Sequence, residues 1–348
     1  MTRSIDAAAT AGPEPDDPLG SGPTGDAAQR PVRVPESLRR VAASRLYQGP
    51  KNKRLSAADK LLAAAGAHGI DPQLMWATLG HPKDPEPVRQ MVMGVPGSGR
   101  TAMLFLSPPG GSGPLGTAAT QQHELALCVQ AACDGLASAG LDIRLIQALP
   151  EPHETWGVRA CTEGGMTLVG ELAYMRRAFT ADDRRGQTLE DWPARVEVRP
   201  ISTAGGPPDT DALTRALDAT YIDTLDCPEL CGLRRTEDVI ASHLSTGVFD
   251  PQTWWIIYDD GKPEGCVLMS HCPDHDSVEL VYLGLSPKLR GHGLGGRLLR
   301  AAMGRCARYG ASSVTCAVDR RNTPAASLYE RLGFRPFASR VALVRGRV

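Results

Sequence analysis

The chain has 348 residues, 38 basic against 39 acidic side chains and 42% hydrophobic residues. That length exceeds what one compact core usually holds and predicts two domains. The near-zero net charge removes the electrostatic case for a nucleic-acid or anionic-membrane partner, and no run approaches the ~20 apolar residues of a membrane span.

Residues 1–36 hold six prolines and almost no large apolar side chains. Such a stretch cannot bury enough surface to offset its ordering entropy, so it reads as a disordered tail without a signal peptide. Residues 37–87 read as a short helical region. Ser56 is a candidate N-cap before Ala57–Ala65, and Pro72 opens a second short helix through Leu74, Met75, Trp76 and Leu79.

From Val88 the pattern changes. Residues 88–95 and 101–106 read as strands joined at Pro96-Gly97-Ser98-Gly99. The run Gly94 to Thr101 imitates a phosphate-binding P-loop, but Arg100 stands where lysine is required and a strand follows where a helix should, so a hairpin is expected. A Gly/Pro-rich loop leads to a helix over about 121–139, with Leu125, Cys128, Val129, Ala132 and Leu136 at helical spacing. Strands at 142–149 and 166–176 close this unit, with a short helical stretch near Glu154 between them. Residues 179–194 form a charged linker.

A second unit spans 195–348. A first strand at Val196, Val198 and Ile201 precedes helices near 209–225 and 235–245. Strands at 254–259 and 265–270 make a hairpin over Asp260-Gly261. Then alternate a strand (278–285), a helix (295–309), a strand (313–318), a helix (324–332) and a strand (339–345). The fold class is therefore α/β in the α+β sense: a mixed, mostly antiparallel sheet flanked by helices. His271-Cys272-Pro273-Asp274-His275 matches no common zinc spacing and reads as a polar loop, so no metal is expected.

The chemistry concentrates in Leu283-Gly284-Leu285-Ser286-Pro287-Lys288-Leu289-Arg290-Gly291-His292-Gly293-Leu294-Gly295-Gly296-Arg297. A glycine-rich turn at a helix start exposes unpaired amides, which with the helix dipole can hold a diphosphate. The stretch resembles the GNAT superfamily of N-acetyltransferases, whose Gln/Arg-x-x-Gly-x-Gly/Ala signature is met by Arg290, Gly293 and Gly295. Asn322-Thr323-Pro324 through Tyr329 to Phe334 is similar to the family's second cofactor segment, and the resemblance covers about 150 residues.

The resemblance implies acetyl-CoA as co-substrate, an amine acceptor and direct attack in a ternary complex. It gives Leu283 and Leu285 backbone contacts to the pantetheine arm and thioester. Arg290, Gly291, His292, Gly293, Leu294, Gly295 and Gly296 would hold the diphosphate, and Asn322 would contact the cofactor arm. Tyr329 would protonate the leaving sulfur; the plainer role is an aromatic anchor beside Leu328 and Phe334.

An alkyl amine of pKa about 10.4 is almost wholly protonated at pH 7, so attack needs a base. Glu279, six residues before Leu285, is the first candidate, ahead of Asp319 and His271; its plainer role is a strand-face ion pair. The acids Asp223, Asp226 and Glu229 fall where the family selects its acceptor, and equally fit a solvated loop. Lys288, Arg290 and Arg297 fit coenzyme phosphates.

Residues 88–178 read as a degenerate copy of the same fold without its own cofactor, an arrangement similar to tandem members of the family. A non-catalytic acyl-CoA sensor acting through a protein partner is the alternative function. Nine cysteines, an odd number lacking any CxxC spacing, point to a reducing cytoplasm. Oligomerisation is neither required nor excluded.

Overall fold

The computed structural model describes residues 29–346 apart from 68–69, 82–83, 85–86, 111–116, 186–191 and 204–207. Most of the expected tail therefore lies outside the described residues. Its end does not: β1 (Val32–Arg33) pairs with β2 (Met75–Leu79), and Val34 is buried.

Two helices follow β1, α1 (Arg39–Ser44) and α2 (Arg54–Ala67). The helix expected after Pro72 is instead strand β2. Met75, Trp76 and Ala77 are all buried, because the strand is covered on both faces; such a run has no strand alternation to read. Next come β3 (Val88–Gly97), β4 (Thr101–Leu106), α3 (Ala118–Ser138), β5 (Leu145–Ala148), α4 (Thr155–Glu163) and β6 (Thr167–Ala178). The P-loop imitation is the β3–β4 hairpin turn, with Gly99 and Arg100 both at positive φ.

Past α5 (Ala181–Arg185), the same order returns: β7 (Val196–Pro200), α6 (Thr210–Tyr221), α7 (Thr236–Leu244), β8 (Trp254–Asp259), β9 (Lys262–Cys272), β10 (Ser277–Leu285), α8 (Leu294–Cys306), β11 (Ser313–Asp319), α9 (Thr323–Arg331) and β12 (Arg335–Gly346). Asp209 caps α6 by accepting from the amides of Asp211 and Ala212.

All strands lie in one sheet of order β1-β2-β3-β4-β5-β12-β6-β11-β10-β9-β8-β7. It is mixed and mostly antiparallel; the parallel pairs are β4–β5 and β10–β11. The order is symmetric about the β12–β6 junction, and the two central strands are exchanged. β12 pairs with β5 of the N-terminal half, and β6 pairs with β11 of the C-terminal half from Ala178↔Ser313 to Leu172↔Asp319.

Helices cover both faces. On one, α8 lays Leu298, Leu299, Ala302 and Met303 against Val278, Leu280, Val314 and Cys316. On the other, α6 lays Leu213 and Leu217 against Trp254, Cys266 and Leu268. In the N-terminal half, α3 packs against Val92, Leu104 and Ile146. All nine cysteines are free. Among the described residues no helix is long and apolar enough to cross a membrane.

Candidate active site

β10 and β11 pair only over Ser277–Glu279 with Ser313–Thr315. A bulge between Leu280 and Tyr282 follows, and the strands part. A parallel pair that separates leaves one edge of each strand without ladder partners, so backbone groups face the opening. A cleft of about 820 Å³ fills the splay, between Leu280–Leu285 of β10 and Ala317–Val318 of β11, with the start of α8 and α9 at its rim.

The glycine-rich turn shapes that rim. The amides of Leu289 and Arg290 both donate to the Ser286 carbonyl, tightening the turn after β10. Gly293 caps α8 in the left-handed region, φ 73°, and Gly291 is also at positive φ. Glycine takes this conformation without a Cβ penalty. A Cβ built at either position meets nothing within 4 Å, so the open side of the backbone faces free space. The amides from Gly291 to Gly296 donate to no protein acceptor among the described residues. Unpaired amides at a helix N-terminus are an anion site.

The basic side chains divide differently from the sequence expectation. Arg290 lines the cleft, but its guanidinium is engaged by the protein itself, donating to the carbonyls of Leu285 (2.9 Å), Thr220 (2.9 Å) and Asp223 (3.0 Å). It ties the turn to the C-terminal end of α6. Lys288 is paired with Glu264 at 2.5 Å. Arg300 and Arg331 line the cleft and have no acid partner among the described residues. His292 is exposed and lies outside the cleft lining.

Leu283, Leu285, Asn322 and Tyr329 all line the cleft. Asn322 caps α9, its side chain accepting from the Ala325 amide at 3.3 Å. Tyr329 is 5% exposed and packs on Phe334, ring centroids 5.6 Å apart. The anchoring role is thus real, yet the hydroxyl has no hydrogen-bond partner among the described residues. Burial raises the phenol's pKa well above its ordinary value, so it is a proton donor at neutral pH.

Glu279 is the last paired residue before the splay. Its neighbours Val278 and Leu280 face α8, so its side chain lies on the sheet face of α6 and α7. It makes no ion pair or hydrogen bond among the described residues, which leaves the ion-pair reading without a partner. Burial raises its pKa, with His275 acting weakly the other way.

Asp319 is fully buried, accepts from the Cys227 amide at 3.1 Å and pairs with Arg321 at 2.7 Å. These contacts hold its pKa down despite burial, which suits an anchor and not a base. His271 stacks on Tyr309. In the loop after α6, Glu229 is paired with Arg321 at 2.6 Å and the Asp226 carboxylate accepts from the Asp319 amide at 3.0 Å. Asp226 nevertheless lines the cleft, and burial pushes its pKa up. Lys288, Arg290 and Arg297 were expected from the sequence and Arg300 was missed, though its place two turns after Gly293 on α8 could have marked it; nothing in the sequence marked Arg331 or the exchange of β6.

Residues 218–334 match the family described as "Acetyltransferase (GNAT) family". The chain is 34% identical over 189 residues to a mycothiol acetyltransferase of Gordonia bronchialis, a match covering 52% of this chain and 59% of that one. It is 28% identical over 239 residues to a mycothiol acetyltransferase of Clavibacter sepedonicus, covering 65% of this chain and 75% of that one. The first of these matches thus spans somewhat over half of the relative's length. A GCN5-related N-acetyltransferase from Sphaerobacter thermophilus superposes with a TM-score of 0.53 at 16% identity, covering 94% of this chain and 97% of that one. That likeness shows the fold.

Proposed function

We propose that this chain, which carries an acetyltransferase domain of the GNAT family over residues 218–334, is an acetyl-CoA-dependent N-acetyltransferase acting on a primary amine by direct attack in a ternary complex. One observation carries the reading. The unpaired amides of Gly291 to Gly296 open onto a cleft walled by Leu280–Leu285 and Tyr329, and Glu279, the last paired residue of β10, stands just before its lining.

The amides bind the diphosphate, each charge-assisted bond contributing roughly 1.5–3 kcal/mol. Arg300 and Arg331 add charge at the rim. The free edge of β10 near Leu283 offers backbone groups to the pantetheine amides. Arg290 acts indirectly, holding the turn and occupying the Leu285 carbonyl. Asn322 orients α9 and thereby the ring of Tyr329.

Glu279 takes the proton that the ammonium must lose. Its raised pKa brings it closer to neutrality, where a base is both ionised and proton-seeking. The freed nitrogen attacks the thioester carbonyl carbon, the C–S bond breaks, Tyr329 gives its proton to the departing thiolate, and the extra proton on the acylated nitrogen returns to the Tyr329 phenolate, leaving a neutral amide. The names of the relatives direct the acceptor search to a mycothiol-related amine. Nine free cysteines fit a reducing cytoplasm.

Among the described residues, the start of the matching helix α3 differs from that of α8. Where Gly293 opens α8, Thr117 caps α3 and accepts from the Thr120 amide at 3.1 Å. The test is CoA-thiol release from acetyl-CoA by wild type and Glu279→Gln. Amine-dependent release that the variant loses is expected. Coenzyme binding with no release on any amine would favour the sensor reading.

A further inference from the structure

The strand beside β11 belongs to the N-terminal half. Through the register, Thr315 opposes Arg176 and Ala317 opposes Tyr174. Paired residues share a face. Since Glu279 pairs with Thr315, Glu279, Ala317, Tyr174 and Arg176 all stand on the face of α6 and α7. Met175 and Ala173 point the other way, into the α8 core. Ala317 is small, exposed and part of the cleft lining. It leaves a low floor between the splay and Tyr174.

Tyr174 is half-buried, and its hydroxyl has no hydrogen-bond partner among the described residues. Its ring meets Phe337 edge-on at 6.4 Å, and the Arg176 guanidinium lies over the Phe337 ring, 4.7 Å from its centroid. The ring is thus held while the hydroxyl is spare. Glu279 is close enough to raise the phenol's pKa and Arg340 of β12 to lower it, after burial, which raises it most. Arg340 is itself paired with Glu151 at 3.0 Å.

We propose that Tyr174 is an acceptor-binding residue, its hydroxyl hydrogen-bonding a polar group next to the amine that Glu279 deprotonates, so that the N-terminal half supplies part of the active site. The acceptor class this selects is a primary amine with a hydroxyl, amide or other hydrogen-bonding group beside it. This rests on the acetyltransferase reading above and names a specificity residue for it.

The test uses the full chain as wild type and Tyr174→Phe. Initial rates are measured with acetyl-CoA and two acceptors: a mycothiol-related amine and hexylamine, which lacks a polar neighbour. The KM of the polar amine should rise about three- to tenfold, the loss of one hydrogen bond. The KM of acetyl-CoA, the hexylamine rate and the melting temperature should stay as in wild type. Equal changes for both amines, or no change for the polar one, would overturn the proposal.

A second readout needs no turnover. With tyrosine ring-labelled protein, the Tyr174 phenol should titrate at lower pH in Glu279→Gln and at higher pH in Arg340→Gln. A phenol indifferent to Glu279→Gln would show that the two side chains do not share a groove. If wild type acetylates no amine, the acetyltransferase reading fails, and the titration still decides whether the groove exists.

Discussion

Gly293 and Gly261 form a matched pair. Both have φ 73°, and a Cβ built on either meets nothing within 4 Å. Gly261 sits in the β8–β9 turn, outside the cleft lining; Gly293 starts α8 at its rim. Alanine in the left-handed region costs about 1–2 kcal/mol, so Gly293→Ala and Gly261→Ala should lose similar stability, a few degrees of melting temperature. Only Gly293→Ala puts a methyl group on the open side of the amide cradle. Displacing one charge-assisted bond weakens binding by roughly 1.5–3 kcal/mol, or about ten- to a hundredfold. Ligand-induced stabilisation reads both effects in one assay. At acetyl-CoA one hundred times the wild-type Kd, wild type and Gly261→Ala should each gain about 2.7 kcal/mol, and Gly293→Ala about 0.4–1.4 kcal/mol. Equal gains in all three proteins would refute the cradle.

Glu279→Gln should lower kcat by about 10²–10⁴-fold, the usual worth of a general base, while raising the melting temperature at pH 7. The sign follows from burial: a carboxyl whose folded pKa is raised weakens the fold as pH rises through its unfolded and then its folded value. An unchanged rate, or a less stable variant, would count against the assignment. For the same reason kcat/KM should climb with pH until Glu279 is ionised, and this acid limb should vanish in Glu279→Gln. Arg290→Met should lower stability by about 1–3 kcal/mol through its lost carbonyl contacts, whereas Arg300→Ala should weaken acetyl-CoA binding in a salt-dependent way with the melting temperature intact. Arg100 joins the halves through Asp238, at 2.5 Å, and holds that carboxyl's pKa down. Arg100→Gln should therefore melt earlier than wild type at pH 7, and the two should converge as pH falls below the unfolded carboxyl value of about 3.9 and through Asp238's lower folded pKa.

The C-terminal unit was legible because its signals are local. The Asp260-Gly261 turn, the apolar spacing of α8 and the glycines before it each act within a few residues. The N-terminal half was legible from Val88 onward for the same reason. β2 was misread as a helix because a strand buried on both faces loses its alternation. Long-range contacts were not readable at all. Arg290 carries the signature position, yet its partners Thr220 and Asp223 lie about seventy residues away. Glu229 and Asp226 read as free acids until Arg321 and Asp319 were seen to claim them. The exchange of β6 and β12 follows from how two repeats meet in one sheet, which no local pattern encodes.

Calorimetric titration of the full-length protein with acetyl-CoA tests the central claim most directly. One molar equivalent bound at micromolar Kd, about -8 kcal/mol, is the expected result, since the cradle is built at α8 and its counterpart at α3 is capped by Thr117. No binding by folded protein, or two equivalents per chain, would contradict the account.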